Sequence, residues 1–141
     1  ISGSKAFVGL SQYMSGPITT VSPPTVNNTI GIYYDTDSAP SGSWILMSRG
    51  TGSAFSSSVS NMSRSFDDVY DCYMYAPASS SFISISLHNL NQRYTYLNDY
   101  RITGSALPEE TSFLTPHAHV SNGSQSNPQN IELMRIYIEG S

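Results

Sequence analysis

The alternation of apolar and polar residues is cleanest in Ser81-Phe-Ile-Ser-Ile-Ser-Leu87, where Ile83, Ile85 and Leu87 share one side and serines the other. A period of two predicts a strand with one face in a core and one in water, as antiparallel sheets allow. Ser43-Trp-Ile-Leu-Met-Ser48 is apolar without a break and predicts a central strand, held by burial and not by propensity. In Ile131-Glu-Leu-Met-Arg-Ile-Tyr-Ile138, Met134, Ile136 and Ile138 face one way while Leu133, Arg135 and Tyr137 face the other. That pattern predicts a strand covered on both sides, or covered in part by a neighbouring subunit.

Short runs of this kind, bounded by Gly, Pro, Asn and Ser, recur along the chain at about ten-residue spacing. They predict strands over Lys5–Leu10, Pro17–Val21, Thr29–Asp35, Ser43–Arg49, Ala54–Ser60, Val69–Ala76, Phe82–Leu87, Arg93–Leu97, Tyr100–Thr103 and Ile131–Ile138. Ser38-Ala-Pro-Ser-Gly42 is turn chemistry, with Pro40 fixing φ and Gly42 free to adopt positive φ. The stretch from Pro108 to Gln129, with Pro116 and Pro128 inside it, is expected to be a long loop. Alanine, lysine and glutamate are too scarce for a long helix. The fold expected is therefore all-β, a single antiparallel β-sandwich or jelly-roll-like domain spanning residues 1–141. The start at Ile1 leads us to expect a piece excised or processed from a larger protein.

Composition sharpens the surface more than the fold. The chain has 27 serines and ten tyrosines but one lysine, Lys5, and only 11% of its residues are charged. An average soluble domain carries roughly a quarter. A surface made polar by hydroxyls, amides and phenols suits neutral ligands or copies of itself. A net charge of −4 with six basic residues gives no basic patch, which argues against nucleic acid as a partner. No stretch approaches the roughly 18 apolar residues of a membrane-spanning helix. Cys72 is alone, so no intrachain disulfide forms, and with Asp71 as its nearest charge it lacks the positive neighbour of a reactive thiol.

Candidate chemistry is thin. His117-Ala-His119 places two imidazoles on one face of an extended segment, where they can share a metal ion if symmetry supplies further ligands; otherwise they are two solvent-facing loop histidines. Asp35-Thr-Asp37 and the Asp67-Asp68, Asp71 group offer oxygen ligands but lack the spacing of a calcium loop, so capping of turns by the carboxylates is the simpler role. There is no Gly-x-Ser-x-Gly elbow, and Asp37-Ser-Ala39 departs from the Asp-Thr/Ser-Gly of aspartic proteases at Ala39, so no enzyme is expected. Sequons at Asn27, Asn61 and Asn122 are no more than a chain this rich in Ser and Thr produces by chance. No cofactor is implied.

The aromatic residues carry the binding expectation. Tyr33, Tyr34, Trp44, Tyr73 and Tyr75, with Asn122 from the Ser121–Asn127 stretch, are the candidate ligand contacts. Tyrosine supplies contact area at low entropic cost and keeps a hydroxyl for a polar partner. The same tyrosines can instead pair across strands or line a subunit contact.

The Tyr-rich strands Thr29–Asp35 and Val69–Ala76, the Ser/Gly/Thr-rich Arg49–Ser60 and the closing Ile131–Ile138 together resemble a surface-projection (protruding) domain of a non-enveloped virus capsid protein. Asn127-Pro-Gln-Asn130, leading into the last run, is similar in style to the end of a phage tail-fibre tip. The resemblance covers most of the chain through composition and strand layout, with no diagnostic motif. It implies a domain on the virion surface, assembled as a homodimer or homotrimer, that attaches to a host receptor or glycan. A cellular carbohydrate-binding module or lectin, and a purely structural assembly domain, are the alternatives.

Overall fold

The structure is a computed structural model that describes residues 3–12, 26–36, 43–52, 54–63, 67–122 and 130–137. Eight strands appear in it: β1 (Lys5–Gln12), β2 (Thr29–Asp35), β3 (Ser43–Arg49), β4 (Ala54–Ser63), β5 (Tyr70–Tyr75), β6 (Phe82–Asn89), β7 (Tyr94–Thr103) and β8 (Leu114–Ser121). A single 3₁₀ turn, Gly104–Ala106, follows β7. β1 to β4 form one meander and β5 to β7 a second, after which β8 returns to the first sheet beside β1. The result is a five-stranded sheet, β4-β3-β2-β1-β8, and a three-stranded sheet, β5-β6-β7, with every pair antiparallel.

The two sheets pack face to face as the expected sandwich. Ile30, Ile32, Leu46, Val59 and Met62 of the larger sheet meet Ile85, Leu87 and Ile102 of the smaller one in one buried cluster. The alternation of β6 is realised as expected, with Ile85 and Leu87 fully buried. β3 lies between β2 and β4, and its apolar run serves both faces. Leu46 joins the inter-sheet core, while Ile45 and Met47 join Phe7 and Tyr33 in a second cluster on the outer face, where Val26 packs.

Phe7 reaches this second cluster by lying over two glycines. Gly9 and Gly31 are paired across β1 and β2. A methyl group added at Gly31 meets the Val8 carbonyl oxygen, the Gly9 Cα at 2.8 Å and the Phe7 ring at 2.9 Å. The floor under the ring must therefore be bare backbone. Loop ends are fixed by a few amide side chains. Asn28, at φ 51°, takes the left-handed conformation that asparagine tolerates. It donates to Gln12 Oε1 at 3.0 Å and accepts from the Glu109 N–H at 2.9 Å.

Three expectations are corrected. The segment expected to be a long loop contains β8, which pairs with β1 from Gln12↔Leu114 to Lys5↔Ser121. Pro116 hides it, since proline inside a run argues against a strand, yet β8 is an edge strand and an edge tolerates a missing N–H. Arg93–Leu97 and Tyr100–Thr103 are one strand, kinked where Asp99 adopts φ 50° and the register with β6 shifts. Residues 131–137 form no strand. They carry apolar residues on both faces, but a strand requires a neighbour, and among the described residues no ladder reaches them. Pro17–Val21 and Ile138 lie outside the described residues.

Replacing Gly31 with alanine is expected to lower stability by about 1–3 kcal/mol, the usual cost of overpacking, because the Phe7 ring and the β1 backbone cannot both retreat. Urea unfolding of Gly31→Ala beside the parent protein measures it; equal midpoints would show that the ring is free to move.

Candidate functional site

The register that buries Ile85 and Leu87 decides what the three-stranded sheet shows to solvent. Tyr73 pairs with Ser86, Tyr75 with Ser84 and Asp71 with His88, and all six side chains fall on the face turned away from the core. Tyr73 and Tyr75 stand two residues apart on β5, 55% and 65% exposed. They offer a pair of neighbouring phenol rings above a floor of serine hydroxyls.

Around them the polar groups hold one another in place. The Tyr73 hydroxyl donates to Asp71 Oδ2 at 2.7 Å, and its ring lies edge-on to the His88 imidazole at 5.9 Å. His88 Nδ1 is 3.0 Å from Thr95 Oγ1 on β7. Further along, Asp99 accepts from the Ser84 hydroxyl and from Arg101 Nη2, the latter at 3.1 Å. The Asp99 N–H donates to Ser86 Oγ at 3.0 Å, and the Arg101 guanidinium lies 4.5 Å above the Phe82 ring. The hydrogen bond from Ser84, then that from Arg101, holds the Asp99 carboxyl below its ordinary value. The bond to Asp71 and then its charge raise the Tyr73 phenol. Both carboxylates on this face thus have partners within the protein. What remains for a ligand is aromatic faces, hydroxyls and an imidazole, a set that suits a neutral polyhydroxylated molecule: C–H faces stack on the rings and hydroxyls meet Ser86 and His88.

The other expected contacts lie elsewhere. Tyr33 and Tyr34 are adjacent in β2 and so point to opposite faces of the larger sheet, and both are buried. The Tyr34 ring meets the Trp44 ring at a tilt, with centroids 5.7 Å apart, and Trp44 is itself packed against the inter-sheet core. Of the five aromatic candidates, Tyr73 and Tyr75 are exposed, Tyr33 and Tyr34 are buried and Trp44 is half-buried. Asn122 follows the end of β8 and is half-buried. The Asp35 side chain and Asp37 lie outside the described residues. Asp68, from the acidic group, organises the turn between β6 and β7, accepting from Asn89 Nδ2 at 2.8 Å and Gln92 Nε2 at 3.1 Å.

His117 and His119 share the outer face of β8, as their spacing requires. His117 Nδ1 is 3.2 Å from Ser11 Oγ, and its ring meets Phe7 edge-on at 6.2 Å. Partial burial, then the neighbouring His117, keeps His119 below the ordinary imidazole value. Among the described residues no group of three or more His, Cys, Asp or Glu could hold a metal ion. The Ser11–His117 pair has the elements of an activated nucleophile, but Ser11 is completely buried, so no substrate reaches it. Sequence reasoning does not single out His88, Ser84 and Ser86 as contacts, although the period of two in β6 already places them on one face. Their pairing with Tyr73 and Tyr75 needs the register.

Comparison with protein-family models, with curated proteins and with solved structures finds no match to this chain.

Beneath the tyrosines, Cys72 points to the core, and burial, then the charge of Asp71, pushes its thiol from 9.0 up to about 11. The unfolded chain ionises this thiol first, so its contribution to stability is complete below pH 9.0 and is lost as pH rises toward about 11. The stability difference between the parent protein and Cys72→Ala is expected to shrink by on the order of 2–3 kcal/mol across that interval. Urea unfolding of the two proteins at a series of pH values checks this; a constant difference would mean that the thiol is in contact with water.

Proposed function

We propose that this chain is a noncatalytic attachment domain of a virion surface, which binds a glycan on the outer face of its three-stranded sheet. The observation that carries the reading is the exposure of Tyr73 and Tyr75 side by side over Ser84 and Ser86. A purely structural role for these rings would bury them. The internal pairing of Asp71 with Tyr73, and of Asp99 with Ser84 and Arg101, supports a ligand without net charge. The resemblance to protruding capsid domains adds the setting: display in many copies, where a weak site for each sugar suffices because linked sites raise the effective concentration. A cellular carbohydrate-binding module would use the same face, and it differs in binding firmly as a single copy.

The test is glycan binding by the domain displayed on beads, read on a broad panel of neutral and acidic sugars. Neutral sugars are expected to be retained. Tyr73→Ala and Tyr75→Ala should each weaken binding about tenfold, equivalent to roughly 1.4 kcal/mol, while thermal midpoints barely move because the rings are exposed. Binding unchanged in the double variant, or no retained sugar at all, would overturn the proposal.

A further inference from the structure

The segment 131–137 has the sequence of a strand but, among the described residues, joins no ladder. Leu133, Met134 and Ile136 are 46%, 75% and 56% exposed, an unusual state for three large aliphatic side chains within one short run. At the same time β5 is an edge strand of the smaller sheet, and among the described residues no strand ladders its second side. The other edges are better protected. β8 carries Pro116 near its middle, and β4 and β7 close on each other where the Phe55 and Tyr100 rings approach to 6.0 Å. β5, Tyr70-Asp-Cys-Tyr-Met-Tyr75, has no proline, no lysine and a single charge, Asp71.

We propose that residues 131–137 of one copy add antiparallel to the β5 edge of a second copy, and reciprocally, to make a twofold dimer with two four-stranded sheets.

Charge and pattern select the same register. Setting Arg135 opposite Asp71 places Met134 beside Cys72 and Ile136 beside Tyr70, on the core side of β5. It also places Leu133 beside Tyr73 on the outer side, so both halves of the alternation gain cover. A slip of one residue would reverse every one of these assignments and leave Arg135 against the core. Within one chain Arg135 already lies close enough to Tyr73 for its charge to be felt there, yet no ladder forms with β5 and the aliphatic side chains remain exposed. Among the described residues no strand covers them. A copy related by a twofold axis offers each segment an unladdered edge, and the exchange satisfies both edges at once. This inference does not rest on the carbohydrate reading, since association is measured without sugar.

The experiment is sedimentation of the 141-residue chain and its charge variants over a wide concentration range. Wild type is expected to dimerise. Arg135→Asp and Asp71→Arg should each weaken self-association about tenfold, since each places like charges together at both contacts of the dimer. An equimolar mixture of the two variants should recover wild-type association, because every contact between unlike copies then joins a carboxylate to a guanidinium again. Recovery also shows that both variants are folded. Met134→Asp, at a position exposed in the single chain, should weaken association as well. A wild-type monomer throughout, a Met134→Asp protein that associates normally, or recovery only when both charge changes are in one chain would each overturn the proposal. The last result would assign the pair to the chain's own sheet.

Discussion

Among the described residues no strand ladder joins the two sheets, so their relative placement depends on the contact of Ile30, Ile32 and Leu46 with Ile85, Leu87 and Ile102. Burying a side chain of this size stabilises by about 1.5–3 kcal/mol, several times what an exposed hydroxyl pair on this serine-rich surface can contribute. The contact also fixes parity. Once Ile85 and Leu87 face inward, Ser84, Ser86 and His88 must face outward, and the pairing of β5 with β6 turns Tyr73 and Tyr75 out with them. The candidate site is thus the reverse side of the core.

The scarcity of charge has a related consequence. Three aspartates are occupied in local architecture: Asp68 in the turn after β6, Asp99 at the kink of β7, Asp71 under the Tyr73 hydroxyl. Each holds a backbone feature or a ring in place and is to that extent already engaged. A ligand with a strong charge would have to compete with these bonds, whereas a neutral one meets hydroxyls and rings directly. The chemistry of the face follows from using carboxylates as turn and side-chain anchors in a chain that has few of them.

How legible a segment is depends on whether its pattern can be satisfied by the chain alone. β6 can be seen in advance because one wet face and one dry face suffice for a sandwich strand. β3 can be recognised as interior because an unbroken apolar run needs cover on both sides. β8 cannot, since Thr115-Pro-His-Ala-His119 presents little apolar signal and a proline; its place comes from pairing with β1 and from its position at an edge. Tyr33 and Tyr34 mislead for a different reason. Both faces of the larger sheet are buried at its centre, so adjacent tyrosines with opposite directions are both interior, and composition alone does not reveal a second cluster built on Phe7 over two glycines. Segment 131–137 is the converse case, a strong pattern that joins no ladder among the described residues.

That last case bears on the site. A strand added beside β5 would lie next to Tyr73 and bring Leu133 to the border of the aromatic face, widening its apolar margin without covering Tyr75. A twofold arrangement would then carry two such faces in fixed relation. The attachment proposed for this face, through shallow, neutral contacts, would give low affinity per site, because stacking on an open sheet excludes little water. Two rigidly linked sites offset this without any new contact, provided their separation matches that of the sugars displayed. An undefended edge at β5 is ordinarily a hazard, open to uncontrolled association. Under the proposed function, where binding would depend on multiplicity, the same edge, read by one segment in one register, would become the means of producing it.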